Sequence, residues 1–269
     1  MKSLLKDMVK PLYHYMKNKN LREFYRLYDK WGKYKRYVEV KDVEFLNYIF
    51  DVPDLPSFIW QFKEIFAEEL YKFKSKSKEP IIYDCGANIG MSCLYFKKLC
   101  PNAKIKAFEA DPKIVKILEN NLKRNKIIDD VEIINSAVWI DYNGLEFASD
   151  GADGGSIYGG RNKVKVSSIR LKDFLEQEEK IDMLKIDIEG AEYEVLRDCR
   201  DSLSNVDNLF VEYHSWNNSP QKLSEILEIF ESNGFRYYIE SLTHRKHPFI
   251  NQGESENMDL QLNIFGVKR

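Results

Sequence analysis

The 269-residue sequence contains no run of about 18 apolar residues, so no stretch of it reads as a membrane-spanning helix. Its four cysteines, Cys85, Cys93, Cys100 and Cys199, include no C-x-x-C pair. A disulfide framework or thiolate metal site therefore has no support, and the four read as free thiols in a reducing compartment. The N-terminus, MKSLLKDMVKPLYHYMKNKN, lacks both a continuous apolar core and a small-residue cleavage site, so it does not have the form of a secretory signal. The expected location is the cytoplasm. Histidine is scarce, and His244 and His247 in THRKHP have no metal-ligand spacing with nearby residues, so no metal ligands are assigned.

What is present is an ordinary soluble composition, 43% hydrophobic and 31% charged, in a chain long enough to bury a sizeable core. The charge is unevenly placed. Residues 1 to 36 carry eleven Lys or Arg against three Asp or Glu, a local +8 within a whole-chain −2, which leaves −10 for the rest. An acidic body argues against nucleic acid as a partner. The basic, aromatic arm, including YRLYDKWGKYKRY, reads as an amphipathic helix packed on the body, or as a contact for an anionic glycan or a membrane surface.

Residues 1 to 75 show helical periodicity in Leu21, Phe24, Tyr25 and Tyr28 and again in FIWQFKEIFAEELYKF, with a break at DVPDLPS. KSKSKEP reads as an exposed linker, so the expected organisation is a helical extension over 1–77 and a second domain over 78–269. From there strand and helix signals alternate: IIYD, IGMSCLYFKKLC, KIKAFEA, PKIVKILENNLKRN, VEIINSAV, then IDMLKIDI, AEYEVLRDC, NLFVEYH, PQKLSEILEIFESNG and FRYYIES. Alternation at this length predicts an α/β doubly wound, Rossmann-like sheet of seven strands, six of them parallel. The last strand, LQLNIFGVKR, has no crossover helix before it and should be antiparallel to its neighbour or lie at an edge. The glycine-rich stretch from Asp141 to Leu175 predicts a hairpin or excursion within that pattern.

The first strand runs into D-x-G-x-N-x-G, formed by Asp84, Gly86, Asn88 and Gly90. Glycine lets a ligand approach the backbone here, and a helix beginning near Ile89 would direct free N–H groups at it. Nineteen positions after Gly90, Glu109 ends the next strand, where a carboxylate can accept from both hydroxyls of a ribose. Asp111 before Pro112 has the form of a helix cap that fixes where Glu109 points. Asp187 ends an apolar strand and needs a cation or donor. Glu189 and Glu192 follow it, Glu192 read as a cap at a helix N-terminus. Glu212 and His214 are two apart on one strand, so they share a face and form a carboxylate–imidazole pair.

YDCGANIG, FEADP, INSAVW, LKIDIEGAEYEVL and VEYH, in that order, resemble the FkbM family of S-adenosylmethionine-dependent methyltransferases over roughly residues 78 to 240. The resemblance implies a class I methyltransferase fold and transfer of a methyl group from S-adenosylmethionine, leaving S-adenosylhomocysteine. The acceptor it implies is a hydroxyl on a sugar, glycolipid or secondary metabolite. It places Asp84, Gly86, Ala87, Asn88, Gly90 and Ser92 about the methionine moiety and Glu109 on the ribose. Ala110, Asp111, Ser136, Ala137 and Val138 would border the adenine. Asp187 and Glu189 would position cofactor or substrate, while His214, oriented by Glu212, would take the proton from the acceptor. Two alternatives stay open: a non-catalytic binding module on a nucleotide fold, and an NAD-dependent oxidoreductase, although the G-x-G-x-x-G spacing of the latter is missing.

Overall fold

The structure is a computed structural model that describes residues 17–148, 163–217, 219–242, 246–250 and 258–268. Helix α1 (Lys19–Trp31) starts where the Asn18 side chain accepts from Leu21 N–H at 3.0 Å, and it buries Phe24 and Leu27 against the body. The expectation of helix through this region then meets a correction. Residues 40–52 form an antiparallel hairpin, β1 (Val40–Phe45) and β2 (Tyr48–Val52), joined by two residues with Leu46 at φ 51°. Val43 and Phe45 alternate inward on one strand, as Phe50 and Val52 do on the other, which is a period of two rather than 3.6. Asp54 caps helix α2 (Leu55–Phe62) by accepting from Ser57 N–H, and that helix widens into a π-helical turn at Lys63–Ala67.

The main sheet follows the expected alternation. Its strands are β3 (Ile81–Cys85), β4 (Lys104–Glu109) and β5 (Val131–Asn135) on one side. On the other are β10 (Met183–Ile186), β11 (Asn208–Trp216), β12 (Arg236–Ser241) and β13 (Met258–Val267), in the spatial order β12-β13-β11-β10-β3-β4-β5. Only β13 runs against the others, and it sits between β11 and β12 rather than at the edge. A strand reached by a loop alone can only fold back on its predecessor, and here it fills the gap beside β11 as well.

The INSAVW segment divides at Ser136. β6 (Ala137–Trp139) leaves the sheet and pairs in parallel with β9 (Ser168–Arg170). β7 (Leu145–Ala148) and β8 (Lys163–Val166) make the antiparallel hairpin expected of the glycine-rich stretch, whose tip at 149–162 lies outside the described residues. Helices α3 (Met91–Leu99) and α4 (Pro112–Arg124) cover one face of the sheet, and α5 (Leu171–Leu175), α6 (Glu192–Asp198) and α7 (Leu223–Ser232) cover the other. The chain builds outward from β3 to β5 and then restarts at β10 on the other side of β3. That reversal opens a crevice at the carboxyl ends of β3 and β10, where ligands of such sheets bind. Among the described residues no helix is long and apolar enough to cross a membrane.

The segment before β3 shares the core of the sheet. Phe66 stacks on Phe62 at 5.3 Å between ring centres, meets Tyr95 of α3 edge-on at 5.4 Å, and is fully buried with Phe45, Phe58 and Phe210 in one cluster. Phe66→Ala should therefore destabilise the whole chain by about 3–5 kcal/mol. Urea unfolding followed by tryptophan fluorescence and by circular dichroism should show one shared transition at lower urea. Loss of the N-terminal signal alone, with the sheet unchanged, would contradict a common core.

Candidate active site

At the carboxyl end of β3 the backbone turns through three left-handed residues, Gly86 (φ 85°), Asn88 (φ 47°) and Gly90 (φ 92°). Gly86 has no room for a side chain, since a Cβ there would lie 1.8 Å from the carbonyl oxygen of Asp187. The two central strand ends are therefore pressed together at this point. Gly90 is the residue before α3, so the helix starts at Met91, two positions later than the sequence suggested. Its left-handed backbone delays the first turn.

Glu109 at the end of β4 is held by two amides: Asn88 N–H donates to Oε2 and Asp111 N–H to Oε1, each at 2.9 Å. Burial outweighs those donors and pushes its carboxyl up to about 7. Asp111 caps α4 as expected, accepting from Lys113 N–H at 2.7 Å ahead of Pro112. These residues line one end of a cavity of about 470 Å³, together with Gly86, Ala87, Asn88, Ser92, Ala110, Ser136, Ala137 and Val138. Oδ1 of Asn88 has no hydrogen-bond partner among the described residues, as a group waiting for a ligand donor would have.

The other end of the cavity is acidic. Asp187, Glu189 and Glu212 line it from the sheet, and Glu64 lines it from the π-helical turn of the N-terminal segment. Burial and the neighbouring Glu212 raise the carboxyl of Asp187 to about 7, and burial with Asp187 and Glu212 raises that of Glu189 to about 8. Glu64 is raised to about 7 by burial and by the charges of Glu212 and Asp187. Burial acts upward on Glu212 too, but His214, Gln261 and Lys185 outweigh it, so that carboxyl lies below its usual range. Gln261 Nε2–H donates to Glu212 at 2.6 Å.

Three expected site residues stand behind the cavity wall rather than on it. Asp84 is fully buried, accepting from Ser92 Oγ–H at 2.5 Å and lying 3.1 Å from Lys185 Nζ. Gly90 is packed against Leu118 and Leu122. His214, whose side chain is 1% exposed, changes role. Its Nδ1 lies 3.1 Å from Glu192, while Nε2 is 3.5 Å from Glu212 and 3.7 Å from Glu189.

Burial pulls the His214 imidazole down, but the charges of Glu189 and Glu192 overcome it and hold the ring well above its ordinary value. A ring that does not line the cavity, and whose acidic neighbours favour its protonated form, is poorly placed for the base role expected of it. Glu192, read as a cap, is the first residue of α6 and accepts from Ile188 N–H and Gly190 N–H in the turn before the helix rather than from the helix's own amides, and it also anchors His214. Ligand atoms of Asp187, Glu212 and His214 fall within 4.8 Å of one another, close enough to hold a cation.

Lys185, Glu64, Tyr71 and Gln261 line the cavity and were not singled out from sequence. For Lys185 a signal existed. A lysine inside the apolar run MLKI, two residues before Asp187, shares that residue's face of the strand. His247 is exposed, and His244 lies outside the described residues.

A family model described as the methyltransferase FkbM domain matches residues 84–237, more than half of the sequence. With the strand order found here, that defines a class I methyltransferase fold, and the chain belongs to the FkbM methyltransferase family. Methyltransferase sdnD of Sordaria araneosa is 28% identical over 246 residues, covering 77% of this chain and 88% of that protein. The 2-O-methyltransferase NoeI of Sinorhizobium fredii is 27% identical over 158 residues, covering 50% of this chain and 63% of its own length. Among solved structures, a methyltransferase FkbM from Methylobacillus flagellatus aligns with a TM-score of 0.47 at 17% identity, over 78% of this chain and 53% of that one.

Glu109 gives the first test of the expectation that this end of the cavity takes a ribose. A ribose needs the carboxylate as acceptor, and this one becomes protonated below about 7. The affinity for S-adenosylhomocysteine, measured by isothermal titration, should therefore weaken as pH falls from 8 to 6. Glu109→Gln should abolish that slope and lower affinity at pH 8 by about tenfold or more, as loss of a charged hydrogen-bonding group does. Affinity independent of pH and of this substitution would remove Glu109 from the site.

Proposed function

We propose that the chain is an S-adenosylmethionine-dependent O-methyltransferase acting on a hydroxyl of a small molecule or glycan. The observation that carries this is a single cavity with two chemically distinct ends. An amide-held carboxylate and bare backbone stand at one end, and a set of carboxylates matched to proton transfer stands at the other. The residues present fit the cofactor: Gly86 and Ala87 offer backbone without bulk, Asn88 has an unpaired acceptor, and Glu109 is aimed by two amides. Ala110, Asp111 and Ser136 to Val138 would border its base. The cofactor supplies a methyl group carried on positively charged sulfur.

The chain's part is to position the acceptor oxygen and to receive its proton. Glu189 is the group we assign to the proton. It lines the cavity, its side chain is 26% exposed, and its carboxyl titrates at about 8, near the range where a general base works best. Glu212, kept ionised, and the imidazolium of His214 fix the field around it. Glu212, held ionised among Glu64, Asp187 and Glu189, makes an acceptor that is anionic near the reacting hydroxyl a poor fit, so the favoured acceptor is neutral there. The printed name of the NoeI relative, a 2-O-methyltransferase, accords with oxygen as the methylated atom.

The test is labelled-methyl transfer from S-adenosylmethionine to a panel of hydroxylated glycans and metabolites, with S-adenosylhomocysteine titrated in parallel. Turnover should rise with pH through about 8, because Glu189 accepts a proton only once ionised. Glu189→Gln should lower kcat by about 100-fold or more, flatten that rise and leave affinity for S-adenosylhomocysteine within about threefold. Full turnover in the variant would remove Glu189 as base, and a chain indifferent to the adenosyl ligand would end the proposed function.

A further inference from the structure

Lys185 is enclosed at the centre of the sheet, with its side chain 2% exposed. Its Nζ is 3.1 Å from Asp84 Oδ1 and 3.5 Å from Asp187 Oδ2, and it donates to Gly86 O at 2.9 Å and to Cys85 O at 3.4 Å. The ammonium also lies 5.9 Å from the Tyr71 ring centre, on the cavity wall. Burial alone would strip its proton, but Asp84 and Asp187 hold it firmly charged. A buried ion pair is seldom more stable than apolar residues of the same volume, so packing does not explain why a charge is kept here.

The chemistry of the cavity does explain it. In methyl transfer the S–CH3 bond breaks with its electron pair left on sulfur, an oxygen lone pair forms the O–CH3 bond, and the hydroxyl proton goes to Glu189. The sulfur begins positive and ends neutral. A floor carrying Asp84 and Asp187 uncompensated would hold the sulfonium reactant more tightly than the transition state in which that charge is dispersing. Binding that favours the ground state slows the step.

We propose that Lys185 is a positioning residue that sets the charge of the cofactor floor. By offsetting one of the two charges of Asp84 and Asp187 it keeps the site from overbinding S-adenosylmethionine relative to S-adenosylhomocysteine, while its bonds to Gly86 and Cys85 hold the loop in place. The inference rests on the proposed function, and its test needs no acceptor.

Affinities of the chain for S-adenosylmethionine and S-adenosylhomocysteine are measured by isothermal titration from pH 7 to 10, since Asp187 titrates at about 7 with Lys185 beside it and higher without it, and the ratios are compared at the upper end of that range. In Lys185→Met the floor is one unit more negative, and the preference for S-adenosylmethionine over S-adenosylhomocysteine should rise by about tenfold or more. Asp84→Asn should move the ratio the opposite way. The double variant Asp84→Asn with Lys185→Met restores the floor's charge and should restore the wild-type ratio, and Lys185→Arg should keep it. Asp84→Asn carries the test if Lys185→Met alone does not fold, since the proposal requires its ratio to move while that of Lys185→Arg does not. Affinities for both ligands falling together, with the ratio unchanged across the variants, would overturn the proposal and leave Lys185 a structural lysine. A wild-type chain that binds neither ligand overturns the methyltransferase function beneath it.

Discussion

The contact on which the site depends is the one between the ends of β3 and β10, where Lys185 is clasped by Asp84 and Asp187 and the bare backbone of Gly86 meets the carbonyl of Asp187. These are the two central strands, and they belong to the two halves of the chain that wind in opposite directions from this point. A side chain at Gly86 would pry them apart, and an uncharged residue in place of Lys185 would leave Asp84 buried without its cation. Breaking such a pair typically costs about 3–5 kcal/mol. The turn that presents Ala87 and Asn88, and through Asn88 the aim of Glu109, is built on this joint.

Around the joint the chain gathers acids whose burial disfavours their charged forms. Glu64, Glu109 and Asp187 keep their protons up to about 7, and Glu189 up to about 8, where exposed carboxyls would have lost theirs near 4. Each is an acid whose folded value is raised, so the folded state holds a proton that the unfolded chain releases. Between the two values each therefore subtracts stability as pH rises. Lys185 and His214 are the buried cations set among these acids and their neighbours, and both remain charged because of them. The arrangement is costly to the fold and suited to a reaction that moves a positive charge and a proton within a small space.

Much of this was legible in the sequence because it is written locally. The strands IIYD, KIKAFEA and LKIDI are apolar runs closed by acids, and the Asp111–Pro112 cap follows from two adjacent residue types. The parallel order and the antiparallel last strand follow from connection lengths. What was not legible depends on contacts far apart in the chain. The hairpin at 40–52 resembles helix in composition and becomes strand because Phe45 and Phe50 pack edge-on with each other and against α2. Pairing His214 with Glu212 came correctly from their shared face, yet the partner that anchors the ring is Glu192, from a helix 22 residues earlier. Periodicity within one strand cannot reveal a neighbour from another element, and so the contact of the imidazole with Glu192 was not legible.

The same division runs through the lining of the cavity. Every residue that would touch the nucleoside lies within 84–237, the span that the family model matches. The opposite wall is completed by Arg36, Trp60, Gln61, Glu64 and Tyr71 before that span and by Gln261 after it. Arg36 is fixed by its ion pair with the buried Asp54, and Trp60 leaves half its surface open while its ring packs on Phe24 and Tyr28. A rigid aromatic plane and a fixed guanidinium at the mouth of a pocket select a ligand by shape and by the placement of its polar groups. Since Phe66 and its neighbours bind this wall into the same core as the sheet, its geometry is set by the fold rather than by a mobile flap. The family model therefore bears on one part of the cavity lining, while residues 36–71 and the closing strand supply the part outside its span.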